Sequence, residues 1–427
     1  MRGYAGLILL ATVGLAQSGT WFMGLPPSVG VPAWPARALV LFGMQAVSLA
    51  LAWRRRDAAA LWIVIGIAVL QRGIAVTWPP DLSSDLHRYV WDGNVLDSGR
   101  SPYAHPPAAP ELTRLRDAQV FPRINRPDAV TVYPPGAQLA FLALRRVGLG
   151  SAAGVKAATA ACDLLSLALL VALLRRRGLP TARVVVYAWS PLVISELAVS
   201  GHLEAFVVPL MLGALLCADR RPGWAGALIG AATLLKLYPA LLLAAIARDR
   251  RHALAAWALV VGVGYAPFVA ASGPAVLGFL PGYFRSGEDF NLGLRGFLQD
   301  GLAPWLGRSA RPAAFVLCGA ALLGAGAYIS LRVKDALAAM RHLVGAFLLL
   351  LPSALHPWYA VWMAPLLALE FSPAWFWLLG ALPLSYLKYG TPGGEMPLWV
   401  RLCEWLPTYA LLAAAQFRAR RATVEAA

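Results

Sequence analysis

Apolar runs of about 20 residues recur along almost the whole chain, and this pattern constrains the fold more than any other feature. Hydrophobic residues make up 59% of the sequence and charged residues only 14%. That leaves too little polar surface to cover a water-soluble globule of 427 residues. The composition excludes a soluble enzyme, a coiled coil and a disordered chain. It predicts an all-α, polytopic membrane protein.

Two classes of apolar run can be distinguished by length. The longer runs are candidates for full membrane spans: 5–22, 36–53, 58–78, 153–174, 183–199, 203–218, 253–272, 312–331, 341–355, 373–388 and 399–416. The shorter runs, which are incomplete or interrupted by proline, are expected to form half-helices or tilted helices: 136–147, 223–236, 239–247 and 357–369. We therefore expect about 11–14 membrane segments, which form one integral-membrane domain over residues 1–427.

The charge distribution predicts the orientation of the chain. The net charge is +16, and its basic clusters are Arg54–Arg56, Arg175–Arg177, Arg220–Arg221, Arg248–Arg251, Arg332–Arg341 and Arg418–Arg421. The positive-inside rule assigns these clusters to the cytoplasm, facing anionic lipid, so no nucleic-acid partner is implied. Residues 79–135 and 273–310 then form external loops. The predicted location is a multi-pass plasma (inner) membrane, with the polar loops on the periplasmic or external side.

Nothing in the sequence requires a cofactor. The four cysteines are scattered singly in or beside apolar runs, which is typical of small buried hydrophobic residues. No histidine has metal-ligand spacing, and no phosphate-binding loop or dinucleotide fingerprint is present. We predict no metal ligand, although the external acids are compatible with a divalent ion.

The first candidate site residues lie just before and within a predicted helix of the first external loop. If the helix begins after Ser84, then Asp85, Arg88 or Tyr89, and Asp92 share one face. A partly desolvated acid beside an arginine suits a general base, which is the role predicted for Asp85. Arg88, Tyr89 and Asp92 are predicted substrate contacts. A solvated capping aspartate with a surface ion pair is the alternative.

A second group combines cations with helix-breaking prolines. Arg126 precedes Tyr133 and a Pro-Pro pair, and Lys236 precedes Pro239 inside an apolar run. An intramembrane lysine is costly and suggests a functional site, so Lys236 is predicted to bind phosphate. Arg126 is also predicted to bind phosphate, and Tyr133 is predicted to bind substrate. The alternatives are a lysine that extends to the interface and an arginine that contacts lipid headgroups.

Histidines mark two further positions at predicted external helix ends. His202 and Glu204 lie in the Ser200–Glu204 turn, and His356 begins the sequence His-Pro-Trp-Tyr. His356 is predicted to bind phosphate, and His202 and Glu204 to bind substrate. Polar turn residues and an interfacial aromatic belt are the alternatives.

Taken in order, these stretches resemble the C-type glycosyltransferase superfamily (GT-C). The chain is similar to bacterial polyprenyl-phosphate-dependent mannosyltransferases and to the catalytic subunit of GPI mannosyltransferase I. The motifs that carry the resemblance are Asp85–Gly93, Gly99–Tyr103, Asn125, Thr131–Pro135, Gln138, Ser200–Glu204, Lys236–Pro239 and His356–Tyr359. Relatives often have two adjacent acids where Ser84 and Asp85 stand, and Asn-Asp where Leu203 and Glu204 stand.

The resemblance implies an inverting hexosyltransferase that uses a polyprenyl-phosphate sugar, with mannose as the expected hexose. The partners would be that donor, a lipid or glycan acceptor and membrane lipids, and transfer would occur on the extracytoplasmic face. A lipid or glycolipid transporter or flippase is the alternative, since broken helices and an intramembrane lysine fit that class as well. A scaffolding protein would leave the polar external loops unexplained.

Overall fold

The described helices confirm the all-α prediction. The computed structural model describes residues 2–23, 33–80, 82–246, 250–285, 290–351 and 353–425. These residues form 18 α-helices and no strand. Those of the first half are α1 (Arg2–Phe22), α2 (Trp34–Ala52), α3 (Ala58–Val76), α4 (Asp85–Asp97), α5 (Pro135–Leu144), α6 (Ala152–Arg176), α7 (Val185–Ala188), α8 (Pro191–Ile194) and α9 (Glu204–Cys217). Those of the second half are α10 (Pro222–Leu235), α11 (Arg250–Ser272), α12 (Leu280–Arg285), α13 (Gly293–Leu306), α14 (Ala310–Arg332), α15 (Ala336–Leu350), α16 (Met363–Leu369), α17 (Pro373–Ala381) and α18 (Leu398–Glu425).

Several of these helices are long and apolar enough to cross a bilayer, so the chain is a polytopic membrane protein. By length and composition, six described segments qualify: Tyr4–Phe22, Trp34–Ala52, Ala58–Val76, Ala152–Arg176, Arg250–Tyr283 and Gly293–Arg332. Four shorter apolar helices accompany them: Glu204–Cys217, Pro222–Leu235, Ala336–Leu350 and Pro357–Leu369. These fall below the roughly 20 residues of a full span, so the total of 11–14 membrane segments stays a prediction.

The run at 183–199 is not the continuous helix that its hydropathy predicts. It bends by 59° between Thr181–Ala188 and Pro191–Val199. Pro191 opens the new helix and the hydroxyl of Ser190 caps it, so a Ser-Pro pair inside the apolar run is the cause. The break frees the carbonyl of Ala188, which accepts a 2.6 Å hydrogen bond from the buried Arg72. Arg72 is paired with Asp163 at 2.6 Å, so the freed carbonyl has a charge-balanced donor inside the protein.

The predicted break near Pro239 is confirmed. Helix α10 ends at Leu235, and Lys236 adopts an extended backbone with φ −146° and ψ 143°. A 3₁₀ helix, Tyr238–Ala245, then begins with Pro239 in its first turn. The chain therefore leaves the helix axis at the lysine and turns its side chain toward the polar interior.

The first predicted external loop is ordered around α4, followed by short 3₁₀ helices at Pro110–Leu115 and Phe121–Arg123. Helix α4 packs closely on α5, because a Cβ on Gly93 would lie 2.9 Å from the carbonyl oxygen of Phe141. The Tyr89 ring stacks on Phe141 at 4.9 Å between ring centroids. This packing fixes the start of α4, where Asp85 lies.

The second predicted external loop, 273–310, is largely helical in its described part, and residues 286–289 lie outside the description. Gly278 has φ +54°, and any Cβ there would collide with the Thr131 carbonyl oxygen 1.9 Å away. The next residue, Phe279, donates its amide to that oxygen at 2.8 Å. The glycine therefore lets the second loop dock directly on the first.

Candidate active site

The two loops, the break after α10 and the segment after α15 enclose one cavity of about 310 Å³. Six of the ten predicted site residues line it: Asp85, Arg88, Arg126, Tyr133, Lys236 and His356. The remaining four, Tyr89, Asp92, His202 and Glu204, are buried behind its wall. Aromatic side chains complete the lining: Tyr238, Phe279, Tyr283, Trp358, Tyr359 and Tyr389.

Asp85 occupies the first turn of α4 and faces the cavity with 20% of its side chain exposed. Its backbone amide donates to the Ser83 hydroxyl at 3.2 Å, and its Oδ1 accepts from the Asn125 amide at 3.3 Å. Burial raises the pKa of the Asp85 carboxyl above its ordinary value, while the nearby Lys236 ammonium acts in the opposite direction. The helix N-terminus also favours the carboxylate. Asp85 is thus a stronger base than an aspartate in water and still has groups that stabilise its charge.

Lys236 is held in a buried ion pair. Its ammonium lies 2.5 Å from Glu204 Oε1, and its side chain is only 10% exposed. The same nitrogen lies 5.0 Å from the centroid of the Tyr359 ring. Because a buried ammonium needs a counter-ion, Glu204 at the start of α9 explains how a lysine is accommodated here. The side chain is therefore buried within the protein, and the ammonium retains donors that can point into the cavity.

His356 lines the cavity as a neutral ring. Burial, with Lys236 and Lys388 nearby, lowers the pKa of the imidazole to about 3. The ring stacks between Phe290 at 4.7 Å and Trp358 at 4.2 Å. The backbone just before it is held by the amide of Leu355, which donates to the Asn291 carbonyl at 2.7 Å. His356 can therefore offer an N–H donor to a ligand, but not a positive charge.

The two arginines of the cavity differ in how they are fixed. Arg126 has φ +53°, a left-handed conformation that is unfavourable for a residue with a Cβ. Its guanidinium lies 5.3 Å from the centroid of the Phe279 ring, so it bridges the two loops. Arg88 is paired with Asp92 at 2.8 Å and donates to the Ala129 carbonyl at 3.0 Å. Arg126 therefore links the two loops, whereas Arg88 makes these contacts within the first loop.

The buried acids around the cavity have partners within the protein. The carboxylate of Asp92 accepts hydrogen bonds from Arg88, from Thr131 at 2.6 Å and from Gln138 at 3.1 Å. Asp92 does not line the cavity, so its position is that of a brace between α4 and the segment before α5. Throughout the described ranges, no group of three or more His, Cys, Asp or Glu side chains is arranged to hold a metal ion.

Two residues that the sequence did not predict as site residues lie behind the cavity: Glu196, which was expected to make interhelical polar contacts, and Tyr386. Glu196 is fully buried, and its Oε2 lies 3.4 Å from His202 Nε2. The Tyr386 hydroxyl donates to Glu196 Oε1 at 2.9 Å. An acid inside an apolar run is a signal that could have singled out Glu196. Tyr386 carries no such signal, because a tyrosine in an aromatic-rich apolar run is unremarkable in sequence.

Comparison with known proteins gives one family. The model described as "Glycosyltransferase family 87" matches residues 131–354, just over half of the chain. This range contains Tyr133, His202, Glu204 and Lys236, while Asp85 precedes it and His356 follows it. Comparison with curated proteins finds no significant match. The predicted resemblance is confirmed: the chain belongs to glycosyltransferase family 87, a GT-C-type family of polyprenyl-phosphate-dependent glycosyltransferases.

Proposed function

We propose that the protein transfers a hexose, expected to be mannose, from a polyprenyl-phosphate sugar to a hydroxyl of a lipid or glycan acceptor. Transfer would occur on the extracytoplasmic face of the plasma (inner) membrane. The single observation that carries this proposal is the cavity, which one acid lines together with three cations and a neutral imidazole. Membership of a glycosyltransferase family supplies the reaction class.

On the acceptor side, Asp85 is the general base. Its carboxylate takes the proton of the acceptor hydroxyl while the oxygen attacks the anomeric carbon of the donor. The sugar passes through an oxocarbenium-like state, as in glycoside chemistry generally. Attack from the face opposite the leaving phosphate gives a single displacement, so the product has the inverted anomeric configuration.

On the donor side, the lipid phosphate leaves as a stable anion and needs no proton from the protein. Lys236 and Arg126 offset the negative charge that develops on it, and His356 offers an N–H donor. Glu204 is the counter-ion of Lys236 within the protein. The aromatic side chains of the lining suit the sugar rings and the first part of the lipid chain.

The transporter alternative shares the broken helices, which are present at Lys236 and between α7 and α8. It does not require a carboxyl of raised pKa beside a phosphate-binding cation. The family match favours a glycosyltransferase over a transporter, because the matching family consists of glycosyltransferases.

A donor panel tests the proposal. Purified protein would be incubated with radiolabelled polyprenyl-phosphate mannose, glucose and other hexoses, each with an extract of membrane lipids. We expect one lipid-linked donor to yield a labelled product, and the matching nucleotide sugar to yield none. Failure of every lipid-phosphate sugar, or equal use of the nucleotide sugar, would contradict the proposal.

A further inference from the structure

Asp85 is the end of a line of polar side chains that runs into the protein interior. His202 Nδ1 lies 4.0 Å from Asp85 Oδ2, and His202 Nε2 lies 3.4 Å from Glu196 Oε2. Glu196 in turn accepts the 2.9 Å hydrogen bond from Tyr386. His202, Glu196 and Tyr386 are all fully buried, and none of them lines the cavity. Of these three residues, His202 lies next to Asp85, and all three lie behind the cavity wall.

Neither ring nitrogen of His202 makes a hydrogen bond with the described residues, although both are buried. A buried imidazole without partners is costly, which favours a role that uses these atoms. The ring itself is held flat against Trp358, with 4.0 Å between centroids. The backbone amide of His202 is fixed by the Glu196 carbonyl at 3.0 Å. Ring and backbone are thus positioned so that Nδ1 points at Asp85.

We propose, on the basis of the proposed function, that His202 is a positioning residue for the general base. Its Nδ1–H would donate to Asp85 Oδ2, while the Asn125 amide donates to Oδ1. Glu196 would carry a proton on Oε2 and donate it to His202 Nε2, and the Tyr386 hydroxyl, which donates to Glu196 Oε1, would hold that carboxyl in place. The 4.0 Å separation is too long for a hydrogen bond and would shorten when the acceptor closes the site. The arrangement aims one carboxylate lone pair at the acceptor hydroxyl.

The charged and titratable groups around His202 are consistent with a neutral ring that donates. Asp85 and Glu196 face its two nitrogens, and Lys236 and His356 lie nearby on other elements. Burial, with the charges of Lys236 and His356, lowers the pKa of His202 well below its ordinary value. A neutral imidazole carries one N–H, and the group at its other nitrogen decides which nitrogen holds it.

Two substitutions at His202 separate the hydrogen bond from the ring stack. His202→Phe keeps a ring against Trp358 but has no donor. His202→Asn loses the ring but carries an amide nitrogen as many bonds from the backbone as Nδ1. We expect His202→Phe to lower kcat about 10- to 100-fold, the usual range for a hydrogen bond to a charged group. Donor KM should not change, and His202→Asn should be the more active variant.

The pH profile supplies a readout that a purely structural role would not move. Loss of a donor to the carboxylate raises the pKa of Asp85, so the acid limb of kcat/KM should move to higher pH in His202→Phe. His202→Asn should restore it toward the wild-type position. An unshifted limb in His202→Phe, or a more active Phe than Asn variant, would overturn the inference.

A second pair of variants covers the case in which His202→Phe does not fold. Tyr386→Phe removes the donor to Glu196, whereas Tyr187→Phe removes a matched buried donor to Asp163 at 2.5 Å, away from the cavity. We expect Tyr386→Phe to lower kcat about 2- to 10-fold and Tyr187→Phe to leave kcat unchanged. Equal rates in these two variants would overturn the inference. Wild-type protein that transfers no sugar would overturn the proposed function and this inference together.

Discussion

At the residue scale, the charge of the Asp85 carboxyl governs how transfer should depend on pH. A general base acts only as the carboxylate. Burial raises the pKa of Asp85 above the ordinary 3.8. Turnover should therefore fall as the pH drops through this raised pKa, so the acid limb of kcat/KM should lie above about pH 4. A pH profile of the wild-type protein measures this limb, and full activity below that pH would contradict the assignment.

Asn125 offers a direct way to move that limb. Its amide donates to Asp85 Oδ1 and stabilises the charged form. Asn125→Ala should raise the pKa of Asp85 further, so the acid limb moves to higher pH. Asn94→Ala, on the same helix as Asp85 but outside the cavity lining, is the matched control and should keep the wild-type acid limb. Identical limbs in the two variants would show that Asn125 does not act on Asp85.

The sequence placed Asp85 and Asp92 on one face of a helix, and only one of them meets the cavity. Seven residues of α-helix rise about 10 Å, so Asp92 lies too far along α4 to reach the same space. Periodicity gives the face of a helix but not the depth at which a cavity ends. For the same reason Tyr89 was predicted as a substrate contact, although its ring packs against Phe141 inside the protein.

At the element scale, the break after α10 brings an ion pair into the interior, and removing one partner should be costly. Lys236→Met leaves Glu204 buried without a counter-ion, which we expect to lower the free energy of unfolding by about 3–5 kcal/mol. Adding Glu204→Gln removes the second charge and should restore most of that stability. Transfer should stay absent in the double variant, because the phosphate has lost its lysine. Denaturant unfolding and turnover are measured on the same samples.

The Arg72–Asp163 pair is the matched control for this experiment. It is equally buried, with 2.6 Å between charged atoms, but lies at the α7–α8 bend and does not line the cavity. Arg72→Met with Asp163→Asn should retain turnover in the fraction that is folded. A Lys236 and Glu204 double variant with wild-type turnover would reduce that pair to a structural role.

Of the two helix breaks, after α10 and between α7 and α8, only the first was predicted from the sequence. A proline three residues after a lysine in an apolar run predicted the end of α10, because both residues are unfavourable inside an apolar helix. The bend before α8 was missed, since hydropathy does not register a Ser-Pro pair, although Ser before Pro is a helix-start signal. In the structure, the bend frees the Ala188 carbonyl, which accepts a hydrogen bond from Arg72 on another helix.

At the scale of the whole molecule, the sequence predicts that the 79–135 loop and the arginine clusters lie on opposite sides of the membrane. In a protein whose four cysteines have been replaced, Thr113→Cys and Arg220→Cys provide exposed positions, one on each predicted side. A membrane-impermeant thiol reagent should label Thr113→Cys in intact cells and Arg220→Cys only after permeabilisation. The reverse pattern would contradict the predicted orientation.

Predicted site residues as far apart in the sequence as Asp85 and His356 line one cavity. The sequence predicted that these residues lie near one another. The loop charges predict that the candidate residues lie on one side of the membrane, and the ordered motifs predict their roles. The contacts that bring them together depend on backbone fit, such as Gly278 against the Thr131 carbonyl. A glycine in a sequence does not identify its partner, so the way the two loops dock could not be predicted.

The central claim is that Asp85 is the base for sugar transfer in this cavity, and turnover of Asp85→Asn tests it most directly. Asn keeps the size of the side chain but cannot accept the proton, so we expect turnover to fall about 10²- to 10⁴-fold while donor binding is retained. Asp97→Asn, at the far end of α4 in a surface ion pair, should transfer at the wild-type rate. Near-normal turnover by Asp85→Asn, with intact donor binding, would contradict the account.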